Sequence, residues 1–183
     1  SRWIMKPEGR YTSTPYLPTN IAEEPPPPKK IPFVLPPKSV TDFVDEVAQG
    51  LSHRPKLAKM FRNCYPNTLE TTTSLLDDNS TYIITGDIDL MWLRDSSAQV
   101  MQYMNLAHDP SIQQILEGLI RRQSFFITKS PYGSSFRLTL RPGDDLGNFH
   151  VGKARNMYTA MHNYELDSLC YHIDLSYKYE STI

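Results

Sequence analysis

The sequence predicts an all-α domain that follows an extended, proline-rich arm, and three observations carry this prediction. Apolar residues recur at helical spacing in several segments after residue 38, which is typical of helices with one buried face. Only one short apolar run, Ile83-Ile84, is suited to a strand. Ten of the fifteen prolines lie within residues 1–38, where they exclude helix. We therefore divide the chain into an arm, residues 1–38, and a domain, residues 39–183.

The arm is dominated by proline clusters such as Pro25-Pro26-Pro27-Pro28 and Pro36-Pro37. Dense proline favours extended polyproline II backbone, so we predict a linker or an extended arm without regular secondary structure. A PxxP ligand for another domain is the more specific interpretation, and a stalk or wrapping arm is the simpler one. Both stay open at this point.

Caps and prolines predict the first two helices. Ser39 and Asp42 have the spacing of a capping box, which an apolar stripe follows. That stripe consists of Val40, Phe43, Val44, Val47 and Leu51. Pro55 is suited to the first position of a short second helix that extends through Phe61. The threonine-rich residues 63–73 predict an ordered loop.

Three further helices are predicted in the second half of the chain. Asp95 or Ser96 caps a helix that runs to about residue 107, and Asp109-Pro110 begins the next. The apolar stripe of that next helix is Ile112, Ile115, Leu116, Leu119 and Ile120. Glycine-rich residues 130–157 predict loops, and a last helix spans about residues 164–179. Its inward stripe is predicted to be Leu166, Leu169, Cys170, Ile173 and Tyr177.

Composition narrows the classes of function. The 183 residues carry a formal net charge of −1, without the basic excess typical of nucleic-acid or membrane-surface binding. No apolar run approaches the ~18 residues that a transmembrane helix needs, and no Cys/His spacing suits zinc. We therefore expect no nucleic-acid partner, no transmembrane segment in this chain and no metal site. The oligomeric state is left open.

Two features depend on the cellular compartment. Cys64 and Cys170 could form one disulfide under oxidising conditions, but for Cys170 a buried free thiol on the apolar side of the last helix is the commoner outcome. Asn79-Ser80-Thr81 is a sequon, so Asn79 is a candidate glycosylation site if the chain enters the secretory route. No signal peptide is visible, although the chain begins at Ser1. The location stays unknown at this point, with the secretory pathway or the extracellular space as the expectation.

Residues 86–99, GDIDLMWLRDSSAQ, concentrate the chemistry of the chain. Carboxylates and an arginine can bind the hydroxyls of a polyol from two sides, and Trp92 can lie against the C–H face of a sugar ring. The simpler interpretation is a structural ion pair of Arg94 with Asp95 or Asp87, beside a core tryptophan. The chemistry of these side chains does not decide between the two.

Four blocks of sequence carry a family resemblance. Residues 85–99 (TGDIDLMWLRDSSAQ), 61–72 (FRNCYPNTLETT), 118–123 (GLIRRQ) and 164–171 (YELDSLCY) occur in the chain order that the family uses. The first of them is similar to the signature T-G-D-I-x-x-M-W-L-R-D-S-x-A-Q. Together the blocks resemble glycoside hydrolase family 125, which comprises exo-acting α-1,6-mannosidases and many fungal proteins described as meiotically up-regulated.

The resemblance implies an (α/α)6 toroid with the active site at one end. Twelve helices and their connections need about 190 residues, whereas residues 39–183 offer 145. The domain is therefore expected to be the N-terminal part of the family's catalytic domain, a partial (α/α)6 toroid.

The resemblance also implies a pocket for a terminal mannose. The residues of this chain that match its lining are Asp87, Trp92, Arg94, Asp95 and Asp167. Glu165 and Asp167 lie two apart on the predicted helix, so only one of them can face the pocket. Asp167 is our choice, because it lies in the more specific part of its block.

The family is inverting and metal-independent, so the resemblance implies a mannose-containing glycan as substrate and no cofactor. Inverting glycosidases use an acid and a base carboxyl ~6.5–9.5 Å apart. Neither of the family's catalytic positions matches a residue here, so the catalytic residues are unknown and we expect the 183-residue chain alone to be inactive. Residues 141–145 (RPGDD) look like the acid-bearing block but precede YELDSLCY instead of following it, which favours a solvated turn.

Two functions therefore stay open. In the first, the chain is part of an exo-α-1,6-mannosidase that removes terminal mannose from N-glycans or mannan. In the second, it is a non-catalytic sugar-binding or interaction remnant of the family. The reading frame beyond Ile183 is the observation that separates them.

Overall fold

A computed structural model describes residues 26–33, 35–139 and 158–183, and the backbone of residues 4–5 and 11–12. The helices in these residues are α1 (Lys38–Gly50), α2 (Pro55–Cys64), α3 (Asn67–Thr71), α4 (Leu93–Val100), α5 (Pro110–Lys129) and α6 (Leu166–Thr182). A 3-10 helix, Met101–Leu106, continues α4. The strands in these residues are β1 (Ile4–Met5), β2 (Tyr11–Thr12), β3 (Thr73–Leu75), β4 (Thr81–Ile83), β5 (Met91–Trp92), β6 (Ser135–Phe136) and β7 (Thr159–Met161). The described protein is mostly helical, and its small antiparallel sheets correct the prediction of an all-α domain.

The proline-rich arm contacts the domain through its last part. The amide of Ile31 donates to the carbonyl of Leu75 at 2.9 Å, and the amide of Asp77 donates to the carbonyl of Lys29 at 2.9 Å. Phe33 and Leu35 then pack against the core. Near the other end of the arm, β1 pairs with β2, so this segment contains a short ladder that the prediction of an irregular arm did not include.

Local sequence signals explain where two of the helices begin. Pro55 is at the start of α2, and the Asp109 carboxylate accepts from the amides of Ser111 and Ile112 at 2.7 and 3.3 Å at the start of α5, as predicted. The capping box at Ser39 is wrong. Because α1 begins one residue earlier, after Pro37, Ser39 lies inside the helix and its hydroxyl caps nothing.

Two other boundaries differ from the prediction. Helix α4 begins at Leu93 with Trp92 as its cap, so neither Asp95 nor Ser96 is the capping residue. The Ser96 hydroxyl instead donates back to the Trp92 carbonyl at 2.6 Å, as serines inside helices commonly do. Residues 63–73, predicted as loop, contain the end of α2 and the short helix α3.

Helix α5 lies at the centre of the core. Four residues of the predicted stripe are buried, Ile112, Ile115, Leu116 and Leu119, and Phe126 continues it. The fifth, Ile120, is half-buried against the core. Phe126 stacks on Phe136 of β6 with ring centroids 4.6 Å apart. Strand β4 crosses the same helix closely, because Gly118 leaves room for the backbone of Thr81.

The prediction for α6 is wrong about which face is buried. Leu166, Ile173 and Tyr177 are 65%, 65% and 71% exposed, and Cys170, expected to be buried, is an exposed free thiol. Helix α6 instead packs on α4, α5 and the 3-10 helix through the opposite face, which contains Ser168, Leu175 and Tyr179. The spacing of the apolar residues identified a stripe, but the partner helices determine which side faces the core. Cys64 is also an exposed free thiol.

We expect Gly118→Ala to destabilise the fold. The new Cβ would lie 2.4 Å from Thr81 Oγ1 and 2.9 Å from the Thr81 backbone nitrogen. Overpacking of this kind costs ~1–3 kcal/mol, which exceeds the gain of at most about 1 kcal/mol in helix propensity. Urea denaturation measures the free energy of unfolding. The control is Gly50→Ala, whose Cβ meets no atom within 4 Å and which should not destabilise. Equal stability of the two variants would contradict this account of the helix–strand contact.

Candidate functional site

A three-stranded sheet brings the starts of α4 and α6 to one edge. Strands β5 and β7 both pair with β6 in the antiparallel sense, so they run parallel to each other. Trp92, Ser135 and Met161 form one row across the sheet. Helix α4 follows β5 directly, and α6 follows β7 after residues 162–165. The first turns of two helices that are far apart in sequence are therefore neighbours.

Arg94, in the first turn of α4, lies among three carboxylates at this edge. Its Nη1 donates to Asp167 Oδ2 at 2.8 Å and lies 3.4 Å from Glu165 Oε2. Its Nη2 lies 3.4 Å from Asp95 Oδ2, an ion-pair distance without hydrogen-bond geometry. We call these four side chains the Arg94 cluster. One positive charge among three carboxylates leaves the cluster with an excess of negative charge.

Asn163 ties the cluster to the sheet. Its Nδ2 donates to Glu165 Oε1 at 2.8 Å, and its Oδ1 accepts from the Ser134 hydroxyl at 2.8 Å. The backbone of Ser134 is held on both sides, because its carbonyl accepts from the Leu93 amide and its amide donates to the Met161 carbonyl. The Glu165 carboxylate is thus oriented by a hydrogen-bonded chain that begins next to β6.

Gln123, a fully buried residue of α5, holds the first turn of α4. Its Nε2 lies 3.2 Å from the Leu93 carbonyl and 2.9 and 2.8 Å from the hydroxyls of Ser96 and Ser97. Its Oε1 lies 2.8 Å from Nδ1 of His172 on α6. Since the Leu93 carbonyl can only accept, the amide nitrogen must face α4, and His172 Nδ1 must therefore carry the proton that it donates to Oε1.

The contacts within the cluster shift the pKa values of Asp167 and Arg94 so that both side chains are charged. The hydrogen bond from Arg94, together with the charge of its guanidinium, holds the pKa of Asp167 below its usual value despite some desolvation. The same hydrogen bond raises the pKa of Arg94. Asp167 is consequently an ionised hydrogen-bond acceptor at neutral pH.

Comparison with known proteins identifies the family. Residues 54–183 match the family described as metal-independent alpha-mannosidase (GH125), which is most of the chain. The chain belongs to glycoside hydrolase family 125. The match includes both helices that form the Arg94 cluster, and it agrees with the family that the four sequence blocks resemble.

Two relatives of this family 125 chain cover similar parts of it. The Meiotically up-regulated gene 157 protein of Schizosaccharomyces pombe is 35% identical over 152 residues, which are 78% of this chain and 30% of that protein. A metal-independent alpha-mannosidase of Streptococcus pneumoniae, solved as a non-productive complex with alpha-1,6-mannobiose, superposes with a TM-score of 0.69 at 33% identity. That match covers 80% of this chain and 34% of the bacterial enzyme. The chain therefore spans about a third of the length of each relative.

The structure brings three of the five predicted sugar-binding residues of this family 125 chain into contact, namely Arg94, Asp95 and Asp167. Trp92 is half-buried on β5, immediately before α4. Asp87 is exposed in the turn after Gly86, a residue with φ of +57°, and it forms no ion pair with Arg94 among the described residues. The binding role of all five stays a prediction.

Sequence reasoning missed Glu165 and its partner Asn163. We predicted that only one of Glu165 and Asp167 could face the pocket, but both carboxylates contact Arg94. The spacing argument fails because α6 begins at Leu166, so Glu165 is an extended capping residue and not part of the helix. If the start of the helix had been placed at Leu166, the sequence would have shown that helical spacing does not apply to Glu165.

The RPGDD segment, residues 141–145, lies outside the described residues. Within the residues that the structure does describe, no group of three or more His, Cys, Asp or Glu side chains is placed to hold a metal ion. None of the described helices is long and apolar enough to span a membrane.

We expect Arg94→Gln to raise the pKa of Asp167 towards its ordinary value of 3.8, because the variant lacks the hydrogen-bonding guanidinium that lowers it. An NMR titration of the Asp167 side-chain carboxyl measures this directly. Lys178→Gln is the control, since it removes a similar exposed pair with Asp174 further along α6 and should leave Asp167 unchanged. A pKa of Asp167 that is the same in wild type and Arg94→Gln would refute the proposed interaction.

Burial lowers the pKa of His172 below its ordinary value of 6.5, which predicts a pH-dependent stability. Below about pH 6.5 the unfolded chain binds a proton at this residue that the folded chain excludes, so the free energy of unfolding falls on acidification. The loss continues until the lower pKa of the folded state is reached. Denaturation at several pH values should show a smaller loss for His172→Gln than for wild type. Parallel pH profiles of the two proteins would count against this prediction.

Proposed function

We propose that this chain is part of an exo-acting glycosidase that removes terminal α-1,6-linked mannose from glycans, by inversion and without a metal. The observation that carries the proposal is the Arg94 cluster, built at the joined starts of α4 and α6 in a family 125 chain. The pneumococcal mannosidase with a TM-score of 0.69 to this chain was solved with alpha-1,6-mannobiose, which supports the choice of linkage. We propose that the cluster binds the terminal mannose.

The chemistry of the cluster suits a sugar ring. Ionised carboxylates are strong acceptors for sugar hydroxyls, and a guanidinium donates in fixed directions. Here Asp167 is held ionised and Glu165 is oriented by Asn163, so the acceptors are positioned before a ligand arrives. Trp92 is half-buried and lies two positions before Arg94 in the sequence. Its aromatic face can lie against the C–H side of the sugar ring.

The exposed stripe of α6 supports a second part of the proposal. We propose that the domain is the N-terminal part of an (α/α)6 toroid, as the family resemblance implies. In that arrangement the stripe of Leu166, Cys170, Ile173 and Tyr177 is the face on which further helices of the toroid pack. Monomeric proteins rarely expose apolar residues in one continuous stripe. Burial of this stripe against further helices is therefore more favourable than its exposure to water.

Sugar binding without hydrolysis is the second candidate function. The observation that favours it is that the carboxylates gathered at this edge, those of Asp95, Glu165 and Asp167, all lie at ion-pair distance from Arg94. Carboxylates held in this way are suited to accept hydrogen bonds from a ligand, and a general acid has to be free to donate a proton. Asp167 is therefore suited to binding and unsuited to the role of general acid. Binding and turnover measured on the same variants distinguish the two candidates.

The test is an assay of the gene product that carries this chain, with an α-1,6-mannobioside as substrate. We expect Arg94→Met to lower kcat/KM by ~100-fold or more, because it removes the donor that also orients two carboxylates. Asp167→Asn should lower it in the same direction. The control is Asp174→Asn on an outward part of α6, which should keep the wild-type value. Wild-type turnover in Arg94→Met would disprove a role of the cluster in the reaction.

The 183-residue chain alone provides the complementary experiment. We expect it to bind the α-1,6-mannobioside without hydrolysing it, and we expect Arg94→Met to abolish that binding. Ligand-observed NMR measures binding, and release of free mannose measures turnover. Turnover by this chain would place the acid and the base within these residues. Binding without turnover in the whole gene product would favour the second candidate.

A further inference from the structure

Asn79 lies at the tip of the turn that joins β3 to β4. Its amide donates to the Leu76 carbonyl at 3.1 Å, and its φ of 60° is the left-handed conformation that asparagine tolerates better than most residues. The side chain is exposed, and no hydrogen bond involves its amide group among the described residues. The Asn79 side chain is therefore free to carry a substituent without loss of any described contact.

The residues on either side of Asn79 are used by the fold. The Asp78 carboxylate accepts from the amide and the hydroxyl of Ser80 at 3.1 and 2.5 Å. Arg122, buried on α5, binds the Asp78 carboxylate and donates to the Ser80 hydroxyl at 2.7 Å. The turn is thus held by the side chains of Asp78, Ser80 and Arg122, and that of Asn79 takes no part in these hydrogen bonds.

Thr81 provides an independent observation two residues later. It is fully buried on β4, and its hydroxyl has no hydrogen-bond partner among the described residues. Burying an unpaired hydroxyl opposes folding, whereas valine has nearly the same shape and suits a buried strand equally well. Other hydroxyls, such as those of Thr85 and Ser135, are also buried without a partner among the described residues, so this feature is not specific to Thr81. What distinguishes Thr81 is its place at the third position of the sequon Asn79-Ser80-Thr81, which requires serine or threonine there.

We propose that Asn79 is an N-glycosylation site and that Thr81 retains its hydroxyl for recognition of the sequon before the chain folds and buries it. In the transfer, Asn79 Nδ2 forms a bond to the anomeric carbon of an oligosaccharide linked to a lipid pyrophosphate. The carbon–oxygen bond to the pyrophosphate breaks, the lipid pyrophosphate leaves with the electron pair, and the proton that the amide loses passes to water. This inference goes beyond the proposed glycosidase function and does not rest on it.

The surface around Asn79 can receive a sugar. A depression of about 330 Å³ lies beside it, lined by Asn79, Pro110, Gln113, Gln114, Glu117 and Arg121. Amide, carboxylate and guanidinium groups are the hydrogen-bonding partners of sugar hydroxyls. The innermost sugar of the glycan therefore has a polar surface against which to lie.

Expression of residues 1–183 behind a cleavable secretory leader in a eukaryotic cell tests the proposal. We expect a band of reduced mobility that peptide N-glycosidase converts to the unmodified position, with deamidation at Asn79 in the mass spectrum. Asn79→Asp keeps a residue that tolerates the positive φ and should abolish the shift. Thr81→Ser keeps the sequon and should retain the shift, whereas Thr81→Val should abolish it. An unmodified Asn79 in the secreted wild-type chain would overturn the site.

Stability of the unglycosylated chain, made in bacteria, tests the role of Thr81. We expect Thr81→Val to raise the Tm, because it removes a buried unpaired hydroxyl, and Thr81→Ser to lower it, because it removes a packed methyl group. The pattern is specific, since the variant that folds better is the one that loses the glycan. A lower Tm for Thr81→Val would show that the fold needs the hydroxyl and would overturn its assignment to the sequon.

Discussion

The amide of Gln123 is the contact on which the arrangement of the site depends. It is fully buried between α4 and α6, and a buried amide with unpaired donors or acceptors costs ~1–3 kcal/mol. Its partners are the first turn of α4 on one side and His172 of α6 on the other. These contacts of Gln123 form together only when the N-terminal halves of α4 and α6 lie next to each other. The same arrangement brings Arg94 within hydrogen-bond distance of Asp167, so a buried neutral network positions a charged cluster nearer the surface.

The Arg94 cluster and the Arg122–Asp78 pair show two uses of the same side-chain types. Arg122 is buried and matched by a single carboxylate and a serine hydroxyl, and its guanidinium also lies over the ring of Phe125, which together hold a turn in place. Arg94 is partly exposed and has more carboxylates than one positive charge can balance. Partly exposed ion pairs contribute ~1 kcal/mol or less to stability, so the surplus of acceptors is not explained by folding. The proposed polyol ligand would supply hydroxyl donors to these acceptors.

Local signals predicted those parts of the structure that short-range chemistry determines. Asp109 caps α5 because its carboxylate reaches amides two and three residues ahead, and Pro55 starts α2 because its fixed φ suits a first turn. The buried stripe of α5 followed from periodicity, and β4, α4 and α6 pack against this helix. The same method failed for α6. Its apolar stripe at Leu166, Ile173 and Tyr177 faces outward, because packing partners and not periodicity choose the side that is covered.

The sequence by itself determined the family, through four ordered blocks, and most helices, through caps, prolines and spacing. It also predicted that Arg94, Asp95 and Asp167 lie together, although 73 positions separate Arg94 from Asp167. The same prediction included Asp87, which forms no ion pair with Arg94 among the described residues. Only the tertiary structure decided that Glu165 joins them, because its extended conformation before α6 and its orientation by Asn163 depend on a contact with Ser134 across the sheet. Local sequence encodes dihedral preferences and burial. Which carboxylates share one guanidinium is decided by strand pairing and helix packing between distant segments.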